Sequence, residues 1–296
     1  MIVITNGKFE AVGTKGKVTI PKEAEVIDVK GKTVIPGLID THAHFTYPSK
    51  REDFFTINES ISSFRAVEFL HRFLMDGITT VRDVGAYRNV GVVVKKAFRE
   101  GLFIGSRPIV VRQRITSTGG HGAEGMIERG LAVEADGPAG FRRAVRLQIK
   151  AGADLIKVLP PYSREEIKAA VEAAHEHGMF ITVHAGIWMK KDDFVRWAVE
   201  LDADCLEHAH GTPDDVIRMM ADKRIYCVPT LTVQAWIADN FSKRPGWEWR
   251  AEKFRKSEEI FKKMKKAGIK MAVGTDTCYE SREEDPRRYF EEIERL

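Results

Sequence analysis

The chain has 296 residues, of which 43% are hydrophobic and 30% charged, enough for one barrel-sized domain or two small ones and too apolar for a disordered chain. Its net charge of +4 comes from 47 basic and 43 acidic residues, interleaved, which predicts a solvated surface and argues against a nucleic-acid partner. No stretch has the length and apolarity to cross a membrane.

Residues 1–34 read as a domain-like segment of short strands and turns. MIVITNGKFEAV, KVTI and AEVIDV are the strand candidates, with Asn6-Gly7 and Gly13 to Gly16 as turn signals. The opening MIVITNGKFE has no basic region and only a short apolar run, so no signal peptide is expected there.

From residue 35 to 296 a rhythm sets in. Helix-like stretches end in glycine and an apolar strand follows, at Gly77, Gly101, Gly152, Gly178 and Gly268. In the first helix Ile61, Phe64, Val67, Leu70 and Leu74 form an apolar stripe at helical spacing. Eight strands are predicted, near 34–44, 78–84, 108–115, 154–159, 179–184, 204–208, 225–231 and 269–275. Strands alternating with helices predict a parallel sheet. From His42 to Asp276 the seven steps take roughly 33 residues each, close to the roughly 31 of a (β/α)8 barrel of about 250 residues. An open doubly wound sheet lacks its GxGxxG after the first strand.

In such a barrel chemistry lies at the C-terminal ends of the strands, so the residues there carry the functional reading. VIPGLIDTHAHF ends in His42 and His44, which alternation places on one face, as a pair of divalent-metal ligands would be. ADLIKVLPP carries Lys157 inside an apolar run, MFITVHAG ends in His184, DCLEHAHG carries His208 and His210, and MAVGTDT ends in Asp276. Taken singly, each has an ordinary explanation: a satisfied core histidine, a Lys157–Asp276 ion pair, an aspartate capping a helix. Together at one rim they point to a shared metal site. Cys205 and Cys227 lie in apolar strand-like runs, Cys278 makes the count odd and there is no CxxC, which predicts reduced thiols in a cytoplasmic protein.

These stretches, with TTVRDVG (Thr79–Gly85) and TGGHG (Thr118–Gly122), resemble the amidohydrolase superfamily, in the branch of imidazolonepropionase-like and prolidase-like (Xaa-Pro dipeptidase) enzymes. The resemblance runs from about residue 1 to residue 280. It implies a distorted (β/α)8 metal-dependent hydrolase barrel with a short N-terminal β segment, part of a small sandwich. It also implies two divalent metals, zinc being the expected one: His42, His44 and Asp276 would hold the first, His184 and His208 the second. Lys157 would bridge them as a carbamate, since an ammonium has no lone pair to give. The motif places the ligand directly after Glu207, hence His208, although alternation alone leaves His210 open.

The implied reaction is hydrolysis of an amide or peptide C–N bond, on a small-molecule substrate such as a dipeptide or N-acyl amino acid. Asp276 would move the proton. His121, in the glycine-rich loop after strand three, would bind the substrate carbonyl. Arg112 and Arg114 share a face of strand three, where either could meet a substrate carboxylate or form a structural ion pair inside the barrel, and Trp188, close after His184, could form a pocket wall. Trp236, Phe241, Trp247 and Trp249 read equally as a lid or as a packed helix. His175 and His177 read as surface residues and His71 as structural. A cyclic-amide or lactone hydrolase, a deaminase, and a scaffold with a decayed site are the alternatives. Two departures from the family pattern stand out. The chain stops about twenty residues after Asp276, where relatives continue into the sandwich, leaving an edge that a second copy in a homo-oligomer could cover. Gly186 stands where prolidase-like relatives often place an aromatic residue or a histidine.

Overall fold

The structure, a computed structural model, describes residues 1–47, 57–123, 130–185, 193–241, 246, 248–277 and 285–296. Chain contacts divide it into Met1–Pro36 and Gly37–Leu296.

In the first unit β1 (Ile2–Thr5) and β2 (Lys8–Val12) form an antiparallel hairpin. Its turn residues Asn6 and Gly7 both have positive φ, 51° and 72°, as a two-residue hairpin turn of matching twist requires. The strands predicted at KVTI and AEVIDV do not form. Val26 and Ile27 stand exposed, and β-prone composition makes no strand without a second backbone to bond.

The second unit runs β3 (Leu38–Ala43), α1 (Glu59–Met75), β4 (Ile78–Asp83), α2 (Val90–Arg99), β5 (Arg107–Val110), β6 (Arg114–Thr116), β7 (Ala132–Glu134), α3 (Gly137–Ala151), β8 (Ile156–Val158), α4 (Arg164–His175), β9 (Ile181–His184), α5 (Asp193–Glu200), β10 (Cys205–Glu207), α6 (Asp214–Lys223), β11 (Tyr226–Val228), α7 (Leu231–Phe241), α8 (Glu248–Arg255), α9 (Ser257–Lys266) and α10 (Asp285–Arg295). The ladders are parallel, in the orders β3-β4-β5 and β11-β10-β9-β8-β6-β7. This is the (β/α)8 arrangement, with two departures from the predicted strands.

The third strand is not continuous over 108–115. It breaks at 111–113, so β5 stays with β4 while β6 joins β8 and the unpredicted β7. Asp154 N donates to Val110 O at 2.7 Å and Leu159 N to Ile115 O at 2.8 Å, which keeps both pieces beside the fourth strand. The eighth segment makes only isolated parallel bridges, Met271 to Cys227 and Thr277 to Ala43. Thr41 N donates to Val273 O at 2.9 Å and Asp276 N to His42 O at 2.7 Å, and these bonds link it to β3. Gly274 permits this approach. A Cβ there would lie 2.7 Å from His42 Cβ and would strike Val228 Cγ1.

The five glycines expected after helices all have positive φ, between 64° and 95°, the conformation that ends a helix and turns the chain into the next strand. Ser163 and Glu166 form a reciprocal capping box at the start of α4. One helix face differs from expectation. In α1 the buried residues are Ser62, Ala66, Phe69, Leu70 and Phe73, whereas Phe64 is 74% exposed. The small Ser62 and Ala66 face inward, with Ser62 Oγ donating to Thr46 O, so the helix is rotated by about one residue from the predicted stripe. Between strands and helices lie two apolar clusters, one including Phe141, Ile156, Ile167, Val183 and Leu206, the other Phe45, Phe69, Phe73 and Val81. Full burial of each large apolar side chain is worth about 1.5–3 kcal/mol, which holds the strand ends in place for the polar residues they carry. Among the described residues no helix is long and apolar enough to cross a membrane.

Candidate metal centre

His42 leaves β3 with its Nδ1 2.8 Å from Glu207 Oε2. Glu207 is fully buried. Burial alone would raise its pKa, but Arg82, Lys157 and His42 outweigh it and hold the carboxyl well below the usual range. An ionised carboxylate only accepts, so His42 Nδ1 carries the proton and Nε2 faces the centre. His44 repeats the arrangement, its Nδ1 donating to Gly85 O at 3.2 Å. Both Nε2 atoms then meet one oxygen, Asp276 Oδ1, at 3.2 and 3.3 Å. The ligand atoms of His42, His44 and Asp276 lie within 4.8 Å of one another.

The second group adjoins the first. The His208 ring is 4.8 Å from that of His42 and 4.4 Å from that of His184, and His121 lies 4.8 Å from His184. Burial pushes His184 and His208 well below the ordinary histidine pKa and His44 down to about 4; neutral imidazoles have a lone pair to give. For His42 burial works the same way, but the carboxylates of Asp276 and Glu207 raise it instead. The carboxylates thus draw positive charge to this spot.

Lys157 on β8 is 2% exposed, and its Nζ has no hydrogen-bond partner among the described residues. The predicted alternative of an ion pair with Asp276 is absent there. Burial brings its pKa down to about 8. An amine so placed is an unsatisfied buried group, whose cost a carbamate or a cation nearby would remove. Donor set, neutral imidazoles and the unpartnered amine together fit divalent cations.

His208 and His210 do not share a strand face. β10 ends at Glu207, and His208 and Ala209 take left-handed φ of 67° and 46°, which breaks the alternation. His208 therefore lies among the other rings, with His210 6.4 Å beyond it. Arg112 and Arg114 do not share a face either, because the break at 111–113 parts them. Arg112 Nε donates to Asn89 Oδ1, whereas the buried Arg114 lies over the Tyr47 ring at 5.6 Å, which in turn stacks on His44 at 4.7 Å. A Cβ at Gly122 would come 2.7 Å from an Arg114 nitrogen, so that loop glycine makes room for the guanidinium. Trp188, Trp247 and Cys278 lie outside the described residues, as do the side chains of Phe241 and Trp249; Trp236, on α7, is half-exposed. His175 contacts Asp204 at 3.1 Å, His177 contacts Ala173 O and His71 contacts Ile104 O.

Beneath the rim lies a polar layer that the sequence reading missed. Arg82 Nη2 donates to Glu207 Oε1 at 2.6 Å and Thr182 Oγ1 donates to the same oxygen at 2.5 Å. Asp40 accepts from Thr275 Oγ1 at 2.7 Å and from His42 N at 3.0 Å, and burial raises its pKa to about 6. Asp83 accepts from Gly85 N at 2.8 Å, and burial raises it to about 7. Charged residues inside strand runs, Arg82 and Glu207 as much as Lys157, are the sequence signal of this layer.

A family profile described as "Amidohydrolase family" matches residues 33–290. The chain is similar to ochratoxinase of Aspergillus niger, 27% identical over 289 residues, covering 83% of this chain and 58% of that protein. It is similar to imidazolonepropionase of Geobacillus sp. (strain WCH70), 24% identical, with coverage of 76% and 61%. Among solved structures, a prolidase complexed with N-methylphosphonate-L-proline superposes with a TM-score of 0.80 at 27% identity, over 94% of this chain and 74% of that one. The chain spans about three-fifths of the length of these two curated relatives.

Proposed function

The chain belongs to the amidohydrolase family, and from that premise we propose that it hydrolyses an amide or peptide C–N bond with two divalent metal ions, zinc in the first instance. The observation that carries this reading is the convergence of His42 and His44 on Asp276 Oδ1 at 3.2 and 3.3 Å. His42, His44 and Asp276 would hold one ion and His184 and His208 the other. Lys157, as its carbamate, would bridge them. When bound, such ions polarise the scissile carbonyl and bring the pKa of a coordinated water near neutrality.

The chain's own residues have distinct tasks. Asp276 takes the proton of the attacking water and returns it to the departing nitrogen, a poor leaving group until protonated. His121 donates to the carbonyl oxygen as negative charge develops there. Glu207 and the Gly85 carbonyl hold His42 and His44 in the tautomers that present Nε2. The barrel, from residue 35 on, is the catalytic domain, and the reduced thiols suit a cytoplasmic setting. An N-acyl amino acid or dipeptide is the proposed substrate class, supported by the N-substituted proline bound in the prolidase.

The test is metal analysis of the purified chain combined with a hydrolysis assay on N-acyl amino acids and dipeptides. We expect close to two metals per chain and release of a free amino acid, abolished by chelation and restored by zinc. Turnover that survives complete metal removal would refute the reading.

A further inference from the structure

Strand seven supplies none of the predicted ligands, yet its end is strained toward the centre. Thr230, two residues past β11, is fully buried with φ +52°, a left-handed conformation that β-branched residues rarely adopt. Its Oγ1 lies 2.7 Å from His208 Nδ1. The neighbouring backbone ties the same two strand ends together: His208 N donates to Val228 O at 2.8 Å, and Gln234 Nε2 donates to Pro229 O and to His208 O. His208 has its own left-handed φ of 67°. Two unfavourable backbone conformations thus face each other across one side-chain hydrogen bond. Such conformations persist where the surroundings over-determine them, and they cluster at functional sites.

We propose that Thr230 is a positioning residue for His208: its hydroxyl oxygen accepts a hydrogen bond from Nδ1–H and so aims Nε2 into the centre beside His184. The proposal rests on the reading of His208 as a ligand. It accounts for what a packing role leaves unexplained, a hydroxyl-bearing residue kept in a conformation that glycine or asparagine would fill with less strain. The hydroxyl does for His208 what the Glu207 carboxylate does for His42 and the Gly85 carbonyl for His44. Each imidazole is oriented through the nitrogen turned away from the cavity.

The experiment compares zinc affinity, by chelator competition, for the full-length wild type and Thr230→Val, Thr230→Ser and His208→Asn, alongside the thermal midpoint of each metal-free protein. Valine keeps the shape and removes the acceptor. We expect Thr230→Val to bind zinc roughly 10- to 100-fold more weakly, with a metal-free midpoint lowered only modestly by the buried Nδ1–H left without its acceptor, and Thr230→Ser to stay close to wild type. Nitrogen-15 NMR of the metal-free wild type should show His208 protonated at Nδ1, a result that needs no variant to fold. Wild-type affinity in Thr230→Val, an equal loss in Thr230→Ser, or an Nε2-protonated His208 would each overturn the proposal. His208→Asn separates the two layers. If it too binds like wild type, the ligand reading has failed; if it alone loses affinity, only the role of Thr230 has.

Discussion

At Asp276 two imidazole nitrogens meet one carboxylate oxygen, so this side chain carries both a holding and a proton-moving role. Asp276→Asn keeps the volume and loses the charge and basicity. General acid–base groups are worth about 10²–10⁴ in rate, and a loss of that size is expected at matched metal occupancy, with little change in the thermal midpoint. Retention of full turnover at that occupancy would remove Asp276 from the proton path. Glu207 is a different case, because Arg82 and His42 both depend on it. Glu207→Gln leaves a buried guanidinium uncompensated, and breaking such pairs costs about 3–5 kcal/mol. The expected result is a large stability loss in chemical denaturation together with weaker zinc binding; replacing Arg82 as well, by methionine, should recover stability but not affinity.

The elements show how backbone groups at strand ends are satisfied. α7 begins directly after strand seven, and its first amides, Leu231 N and Thr232 N, both donate to the Glu292 carboxylate of α10 at 2.7 Å. The last helix therefore caps the helix that follows Thr230. Glu292→Ala strands two buried donors, a loss of about 1–3 kcal/mol, readable as a lowered midpoint in urea or heat. The pH dependence has a definite sign. Burial raises the Glu292 pKa, opposed by its bonds to Thr232 and Leu231. The folded state therefore binds this proton more tightly than the unfolded chain. Its contribution is fully present below the ordinary glutamate pKa of about 4.3 and is lost as pH rises through the folded value. The stability of Glu292→Gln relative to wild type should improve as pH rises from that point. A difference that is flat with pH would contradict the assignment.

Across the whole barrel, closure and site assembly depend on the same contacts. The eighth segment joins β3 through a few backbone bonds and through Asp40, whose carboxylate binds Thr275. Gly274 lets that segment lie against His42 and Val228. Gly274→Ala overfills this seam, at about 1–3 kcal/mol, and displaces His42 as well. Lower stability and lower metal content are expected together; stability lost with full metal binding would separate closure from the site. Ligand linkage adds a further check. A cation that binds only the folded chain at 100 times its dissociation constant stabilises by about 2.7 kcal/mol, so zinc should raise the midpoint of the metal-free protein in a concentration-dependent way.

The alternation of strands and helices was legible in the sequence, because apolar period and glycine placement are local properties that survive without coordinates. So were the residues carrying the candidate site, since histidines, a lysine and an aspartate at strand ends are conspicuous in apolar surroundings. The rim positions of His42, His44 and Asp276 follow from the barrel's geometry once the strands are known. What only the tertiary structure decided depends on backbone angles and partners distant in the chain. The break at 111–113 separated Arg112 from Arg114, left-handed φ values at His208 and Ala209 ended the alternation that had kept His210 open, and the small faces of Ser62 and Ala66 rotated α1. Arg82 and Glu207 are conspicuous as charges inside strand runs, but their pairing, like the meeting of Thr230 with His208 just past β11, exists only once folding brings each within hydrogen-bonding distance of its partner, and no period in the sequence encodes that meeting.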